Sequence, residues 1–356
     1  MEHEWFAESV DKNELDLEFV LFNSKNSDLY NFIVRKGFKC SNYPLPSKYY
    51  VPFYIVYFTF KLAFNRFNFV HCHLFEASLI GIISSKITGV KKRIHTRHHG
   101  DFHHAYFPGA VKYDRWINRL STHIIAVSAS IKAILEKLEH VPAEKITAVP
   151  HGIPSKLLDQ VISEKEIAHI RQKYELTGRW PIIGIVSRFV EWKGIQYIIP
   201  AFKKLVKDFP NAKLVLANAN GDYEQTLTGL LRDLPPSSFV LVRFEPNINP
   251  FFKTFDVFVH TPIDASCEAF GQVYIEALSL EVPMVCTLSG IANDLIKNEM
   301  NALVVAYKNS DSIYEALIRI LNDKALAEKL TARGKLDVRE YTFEKKYARL
   351  KSIYQN

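Results

Sequence analysis

Short apolar runs rich in branched residues alternate along this chain with stretches whose apolar positions recur at helical spacing. In the first half, runs at 17–22, 69–72, 93–96, 124–127 and 147–149 predict strands, and helices are predicted between them at 27–36, 52–65, 77–88, 111–120 and 129–138. A second series opens at Pro181 with Ile182-Ile183-Gly184-Ile185-Val186 and continues through 213–217, 239–243, 256–260, 283–286 and 302–305. Runs apolar at almost every position leave no face for water, as strands of a parallel sheet covered by helices on both sides require. The pattern predicts an α/β chain of two doubly wound, Rossmann-like domains. The polar stretch 155–178, ending in Thr177-Gly178, lies between the two series. The boundary is set at residues 1–165 and 166–341, and the tail from Ser310 reads as three helices without a strand. Ligands of such domains are expected at the carboxyl ends of the strands and in the cleft between domains.

Composition narrows the classes. With 48% hydrophobic and 23% charged residues the chain is neither disordered nor a coiled coil. Four well-separated cysteines, with no Cys-x-x-Cys pair, argue against a disulfide framework or a structural zinc site and for a reducing, cytoplasmic setting. The net charge of +7 is concentrated in residues 1–178, where 23 Lys and Arg face 18 Asp and Glu. The excess is diffuse, no helix carries a basic stripe, and nucleic acid is not the expected partner. The N-terminal stretch lacks the apolar core of a signal peptide. The longest apolar run, 49–60, is shorter than the ~20 residues a membrane span needs. Its aromatic residues fit either a buried helix or peripheral contact at the inner face of a membrane.

Three segments carry candidate chemistry. Cys267-Glu268-Ala269-Phe270-Gly271-Gln272-Val273-Tyr274-Ile275-Glu276 follows a predicted strand and runs into a helix. Gly271 permits a tight turn, the first amides of the helix offer an anion site, and Glu268 and Glu276 can accept hydrogen bonds from hydroxyls. Ser187-Arg188-Phe189-Val190-Glu191-Trp192-Lys193-Gly194 leaves the strand 182–186 and sets two cations, Arg188 and Lys193, beside the next helix, suiting a diphosphate. Arg93-Ile94-His95-Thr96-Arg97-His98-His99-Gly100-Asp101-Phe102-His103-His104 ends a first-half strand. Twelve of the 13 histidines lie in residues 1–178, yet this run lacks His-Glu-x-x-His spacing, and no metal is expected there. Its histidines are expected to line a cleft as hydrogen-bonding groups.

These segments, with Val149-Pro150-His151-Gly152-Ile153, resemble glycosyltransferase family 4 over essentially the whole chain. The resemblance implies a GT-B fold and retaining transfer, of hexosyltransferase type, from a nucleotide diphosphate sugar to a glycan or lipid-linked acceptor in surface polysaccharide synthesis. It implies that Glu276 holds the ribose and Glu268 the sugar, and that the backbone of Phe270, Gly271, Gln272 and Val273 meets sugar and diphosphate. Arg188 and Lys193 neutralise the diphosphate, His98 sits near the reacting carbon, and Arg97 and His99 lie on the acceptor side. No cofactor is implied beyond the donor, no metal, and no protein nucleophile. The closing helix, 342–356, is expected to pack back on the first domain.

Two departures stand out. The family's first domain opens with a strand and a glycine loop, whereas Met1–Glu8 reads as the helix that follows them, so the first strand is expected to be missing. Leu288-Ser289-Gly290-Ile291-Ala292-Asn293 stands where a Gly-Gly pair and a Glu are usual. They leave open a catalytically impaired protein serving as a binding or partner subunit, and, third, a nucleotide-sugar epimerase.

Overall fold

The computed structural model describes residues 2–22 and 27–355, which form two compact units. Met1–Pro154 with Phe343–Asn356 make the first, and Ser155–Thr342 the second.

The second unit is built on one parallel sheet of six strands: β7 (Ile182–Val186), β8 (Lys213–Ala217), β9 (Phe239–Val242), β10 (Val257–His260), β11 (Met284–Cys286) and β12 (Leu303–Val304). Their order across the sheet is β12-β11-β10-β7-β8-β9. The chain starts in the middle, works outward to β9, then returns to the other side of β7 through β10, so a switch point lies between β7 and β10. At such a switch two loops diverge and leave a crevice at the carboxyl edge. The continuous apolar runs are buried as expected: Ile183, Ile185, Leu214, Leu216, Val257 and Val259 meet Ile198, Phe202 and Leu205 of the helix Ile195–Asp208 in one core.

In the first unit the described strands form two parallel sheets. β1 (Glu18–Phe22) pairs with β2 (Lys39–Tyr43). β3 (Phe69–His73), β4 (Lys92–Arg97), β5 (His123–Ala126) and β6 (Ile146–Ala148) form the other, in chain order. β2 is not predicted by the apolar pattern. Its sequence, Lys-Cys-Ser-Asn-Tyr, is polar at three of five positions, and among the described residues it pairs on one side only. The aromatic stretch forms the helix Val51–Phe64, packed on Phe75–Ile87 through Val51, Tyr54 and Phe58.

The helix Phe343–Gln355 belongs to the first unit, although 188 residues of the second precede it (342 − 155 + 1). The apolar positions Leu350 and Tyr354 explain its place, since both are buried in one core with Ile33, Ile94, Ile125 and Val149. The Tyr354 ring stacks on Phe69 at 4.5 Å, and its hydroxyl shares a hydrogen bond of 2.7 Å with His71 Nδ1. The helix Glu2–Ser9 covers the same element through Phe6, 5.8 Å from Tyr347 and 6.3 Å from Tyr354. Removing the Leu350 side chain leaves a cavity in this core. Leu350→Ala is expected to destabilise the first unit by about 2–4 kcal/mol, read as a lower denaturation midpoint with unchanged m-value.

Candidate active site

The second unit's site grows from the carboxyl ends of β7, β10 and β11. After β7 the chain makes a short 3-10 turn, Glu191–Lys193, and then Gly194, whose φ of 73° opens the helix Ile195–Asp208. A Cβ at Gly194 would lie 1.8 Å from the carbonyl oxygen of Thr261, which is immovable backbone, so glycine alone fits. This close approach ties the β7 loop to the β10 loop and fixes Lys193 over the crevice. The ammonium of Lys193 is bonded directly to Glu268 Oε1. His260 Nε2, at the last residue of β10, lies 3.1 Å from the same oxygen, and the Glu268 amide donates to Ser289 Oγ at 3.1 Å.

Burial by itself would raise the carboxyl of Glu268, but the Lys193 charge and the His260 contact outweigh it and hold it down at about 2. His260 is itself pushed below the ordinary imidazole value by burial. Glu268 is therefore an ionised acceptor in a dry pocket, with Lys193 as its counter-ion. Ser289 and Gly290, in the segment that departs from the family pattern, brace this arrangement: a Cβ at Gly290 would meet the Phe270 carbonyl at 2.6 Å.

Phe270 is buried, and Gly271, at φ 84°, leads into the helix Gln272–Ser279. The first amides of a helix have no intrahelical partner, so those of Gln272 and Val273 make an N-terminus of the kind that can accept an anion. Glu276 lies one turn along this helix and differs sharply from Glu268. Among the described residues its carboxyl has no ion-pair or hydrogen-bond partner, and burial pushes it up to about 7. Arg188 is exposed at the mouth of the β7 loop. The second unit therefore brings Lys193, Glu268 and the turn from Phe270 to Val273 onto one strand edge, with Glu276 on the helix that follows. Sequence reasoning missed His260 and Ser289. His260 stands in an apolar strand and reads as core, and its one signal is that it ends the strand preceding the Glu268 segment.

In the first unit the strand ends carry histidines. His98, just past β4, shares a 2.9 Å hydrogen bond with His73 Nδ1 at the end of β3, and its ring stacks on His151 at 5.5 Å. Burial, then the neighbouring imidazoles His151 and His3, lower His98 to about 3, so the ring is neutral. His151 accepts from Lys346 Nζ at 2.8 Å, and burial lowers Lys346 to about 7. Arg97 points inward. It is fully buried, 3.1 Å from Asp114 Oδ1 and 2.5 Å from Glu139 Oε1, and its Nε donates to the carbonyl of His99 at 3.2 Å. A guanidinium fits this place because two buried carboxylates converge on it. Arg97 is a positioning residue for the loop that carries His98 and His99, and His99 is half-buried against Asp114.

Residues 6–157 match the model of Glycosyltransferase Family 4, and residues 166–337 match Glycosyl transferases group 1. The chain is a family 4 glycosyltransferase. It is 28% identical over 288 residues to an uncharacterised glycosyltransferase of Methanocaldococcus jannaschii, covering 78% of this chain and 72% of that protein. It is 23% identical over 306 residues to the Escherichia coli UDP-Gal:alpha-D-GlcNAc-diphosphoundecaprenol alpha-1,3-galactosyltransferase, covering 82% of this chain and 76% of that one. Among solved structures, Anabaena HepE in complex with UDP-glucose superposes with a TM-score of 0.81 at 17% identity, covering 93% of this glycosyltransferase and 89% of HepE. The fold is GT-B.

The buried pair gives a pH signature. Glu268 is lowered in the folded chain from its ordinary 4.5 to about 2, so its contribution to stability is complete above pH ~4.5 and fades as pH falls toward 2. In Lys193→Met the lowering is lost, and the enzyme is expected to be less stable at pH 7 by a few kcal/mol. Its unfolding free energy should change less between pH 4.5 and 3 than that of the unsubstituted enzyme, measured by denaturant titration at each pH.

Proposed function

We propose that this glycosyltransferase moves a hexose, with retention, from a nucleotide diphosphate sugar to a lipid-linked or glycan acceptor in surface polysaccharide synthesis. The observation that carries this reading is the contrast between the two carboxyls of the second unit. Glu268 is ionised and already paired, whereas Glu276 is enclosed with no partner among the described residues and needs hydroxyl donors to settle as a carboxylate. A nucleotide sugar supplies both: ribose hydroxyls for Glu276 and sugar hydroxyls for Glu268. Its diphosphate meets Lys193, Arg188 and the amides of Gln272 and Val273. As the sugar–phosphate bond breaks, negative charge grows on the leaving diphosphate, and these prepositioned donors lower the barrier. The departing phosphate takes the acceptor proton on the same face of the sugar, so no protein nucleophile is assigned. The family resemblance gives His98 a place near the reacting carbon, and its hydrogen bond to His73 fixes one side of the ring and leaves the other nitrogen available. The donor chemistry needs no metal. The activity of the Escherichia coli relative, galactosyl transfer from UDP-Gal to a diphosphoundecaprenol-linked sugar, supports this donor and acceptor class.

The test is thermal unfolding with a panel of nucleotide diphosphates and their sugars, since a ligand at 100 times its Kd adds ~2.7 kcal/mol. One base family should stabilise the chain, and Glu276→Ala should abolish the shift. Affinity should rise as pH goes from about 6 to 8, because Glu276, at about 7 without ligand, must lose its proton to accept from the ribose. Glu276→Gln should flatten that rise. Arg188→Ala should lower kcat by ~10²-fold or more while donor binding persists. A cooperatively folded chain stabilised by none of these compounds would overturn the reading in favour of a binding subunit, and donor turnover without acceptor would make it an epimerase.

A lipid-linked acceptor places the enzyme at a membrane surface, and the helix Val51–Phe64 fits that place. Tyr49, Phe53, Val56, Tyr57, Phe60 and Phe64 recur at steps of three, four and one, forming an exposed stripe opposite the buried Val51, Tyr54 and Phe58. Phe53 is 62%, Phe60 60% and Phe64 84% exposed. Between Asp28 and Glu76 there is no acidic residue, and exposed Lys48 and Arg66 bracket the helix. An apolar stripe flanked by cations and free of carboxylates suits an anionic lipid interface. No described helix is long and apolar enough to cross a membrane. The chain is expected to sediment with vesicles containing phosphatidylglycerol and much less with phosphatidylcholine alone. Phe53→Asn combined with Phe60→Asn should reduce binding at least about tenfold with unchanged melting temperature, since both rings are exposed. Self-association through this face with no vesicle binding would sink the membrane reading.

A further inference from the structure

The reaction proposed above uses His98 and leaves the neighbouring His99, His103 and Asp114 without a role. Their spacing argued against a metal: His99 precedes Gly100, so the pair cannot share a regular helix. The structure brings them together by another route. After Gly100 the chain turns into the short helix Phe102–Tyr106, which folds the ring of His103 back onto that of His99 at a centroid distance of 4.2 Å. Asp114, from the helix Val111–Leu120, closes the group. His103 Nδ1 is 2.6 Å from Asp114 Oδ2, and His99 Nε2 is 3.4 Å from Oδ1 and 3.5 Å from Oδ2. The ligating atoms of the three residues all lie within 4.8 Å of one another.

We propose that His99 Nε2, His103 Nδ1 and the Asp114 carboxylate form a binding site for a zinc-type divalent cation, which pins the loop after β4 to the helix behind it. Ligands about 2.0–2.2 Å from a tetrahedral zinc stand roughly 3.4 Å apart. The His99–Asp114 separations already match that value, and the 2.6 Å between His103 Nδ1 and Asp114 Oδ2 must open by about 0.8 Å to reach it. Two imidazoles and one carboxylate select zinc and its transition-metal neighbours over magnesium or calcium, which prefer all-oxygen shells. Three protein ligands leave a fourth position for water.

The surroundings are those of a supported site. Arg97 engages Oδ1 of Asp114 and, through its Nε, the backbone carbonyl of His99, so one buried guanidinium orients two of the three ligands. Oδ2 meets His103, and His99 lies nearly equidistant from the two oxygens. The edge of Phe75 packs against His103 at 4.9 Å and walls the site on an apolar side. Asp114 and Glu139 both bring buried carboxylates to Arg97, and Glu139 is held as well by His104 Nε2 at 3.3 Å, so Asp114 is the carboxylate that faces the two imidazoles of the trio. The side chains of His99 and His103 are 19% and 12% exposed, enough for an ion to enter. A metal at Nδ1 takes that atom's lone pair and leaves Nε2 of His103 as the N–H side of the ring. This site lies within the first unit and takes no part in donor binding, so it stands or falls separately from the transferase reading.

The test uses the full chain without an added histidine tag, stripped with chelator and titrated with Co²⁺ and then Zn²⁺. One equivalent of Co²⁺ should give the intense visible bands of a low-coordinate site, and Zn²⁺ should displace it. His103→Gln should weaken binding at least about tenfold, and His99→Gln with His103→Gln should abolish the bands. His104→Gln and His140→Gln, whose side chains lie outside the trio, should leave them intact. X-ray absorption of the zinc-loaded, unsubstituted chain provides a readout independent of how the variants fold, with two imidazoles and at least one oxygen expected in the first shell. No stoichiometric binding, binding unchanged in the folded double variant, or a shell without two imidazoles would overturn the proposal.

Discussion

A carboxylate buried as deeply as Glu268 demands a cation and hydrogen-bond donors within reach, because a charge left alone at that depth would cost several kcal/mol. The second unit meets the demand from three neighbouring strands at once. Lys193 arrives from the loop after β7, His260 from the end of β10, and Ser289 from the loop after β11. Each partner fixes a loop, and Gly194, pressed against the Thr261 carbonyl, locks two of those loops together. The crevice at the switch point is thus a set of strand ends drawn together by one buried charge. It is rigid because releasing any one partner would strand the carboxylate.

Much of this architecture is legible in the chain. The strands of the second unit are apolar along nearly their whole length, a pattern that only a sheet covered on both faces accommodates, and they stand where the runs predict. Lys193, Glu268 and Glu276 stand out because charged residues follow directly on buried strands. What the sequence does not show is that Lys193 and Glu268 are bonded to each other, since 75 residues separate them and no local pattern records a contact between strand ends. Arg97 shows the same blindness with the opposite result. A cation among histidines at a strand end reads as a ligand-facing group, but Asp114 and Glu139 close on it from later helices and loops, and it holds a loop instead. β2 escapes notice because its polar positions give no period.

The two units bury polar groups by different chemistry. The second sets a small charged nest into an otherwise aliphatic interior. The first fills its strand ends with imidazoles: His71, His73, His95, His98 and His151 all lie well below the ordinary histidine value, with burial as the leading cause. A neutral imidazole gives one donor and one acceptor without the desolvation penalty of a charge. That is why so many histidines pack together there, in links such as His71 to Tyr354 and His73 to His98. It also means that the basic excess of the first half belongs to its lysines and arginines alone. Two of those cations, Lys48 and Arg66, are exposed at the ends of an aromatic helix face that has no carboxylate nearby in the sequence, whereas Arg97 is buried.

The pairing of Lys193 with Glu268 also shapes how a donor would be recognised under the proposed reaction. A diphosphate drawing Lys193 toward itself removes the counter-ion from a buried carboxylate, which is unfavourable unless something else satisfies Glu268 in the same step. A sugar attached to that diphosphate does so with its hydroxyls; a nucleoside diphosphate alone does not. The two exchanges are therefore coupled, each making the other affordable, and the intact nucleotide sugar is favoured over its fragments by more than the sum of its separate contacts. Binding energy from the sugar is in this way used to turn Lys193 toward the phosphate, where negative charge will develop. Under that reaction, an ion pair that looks purely structural in the free chain would hold Lys193 in reserve until the correct donor arrives.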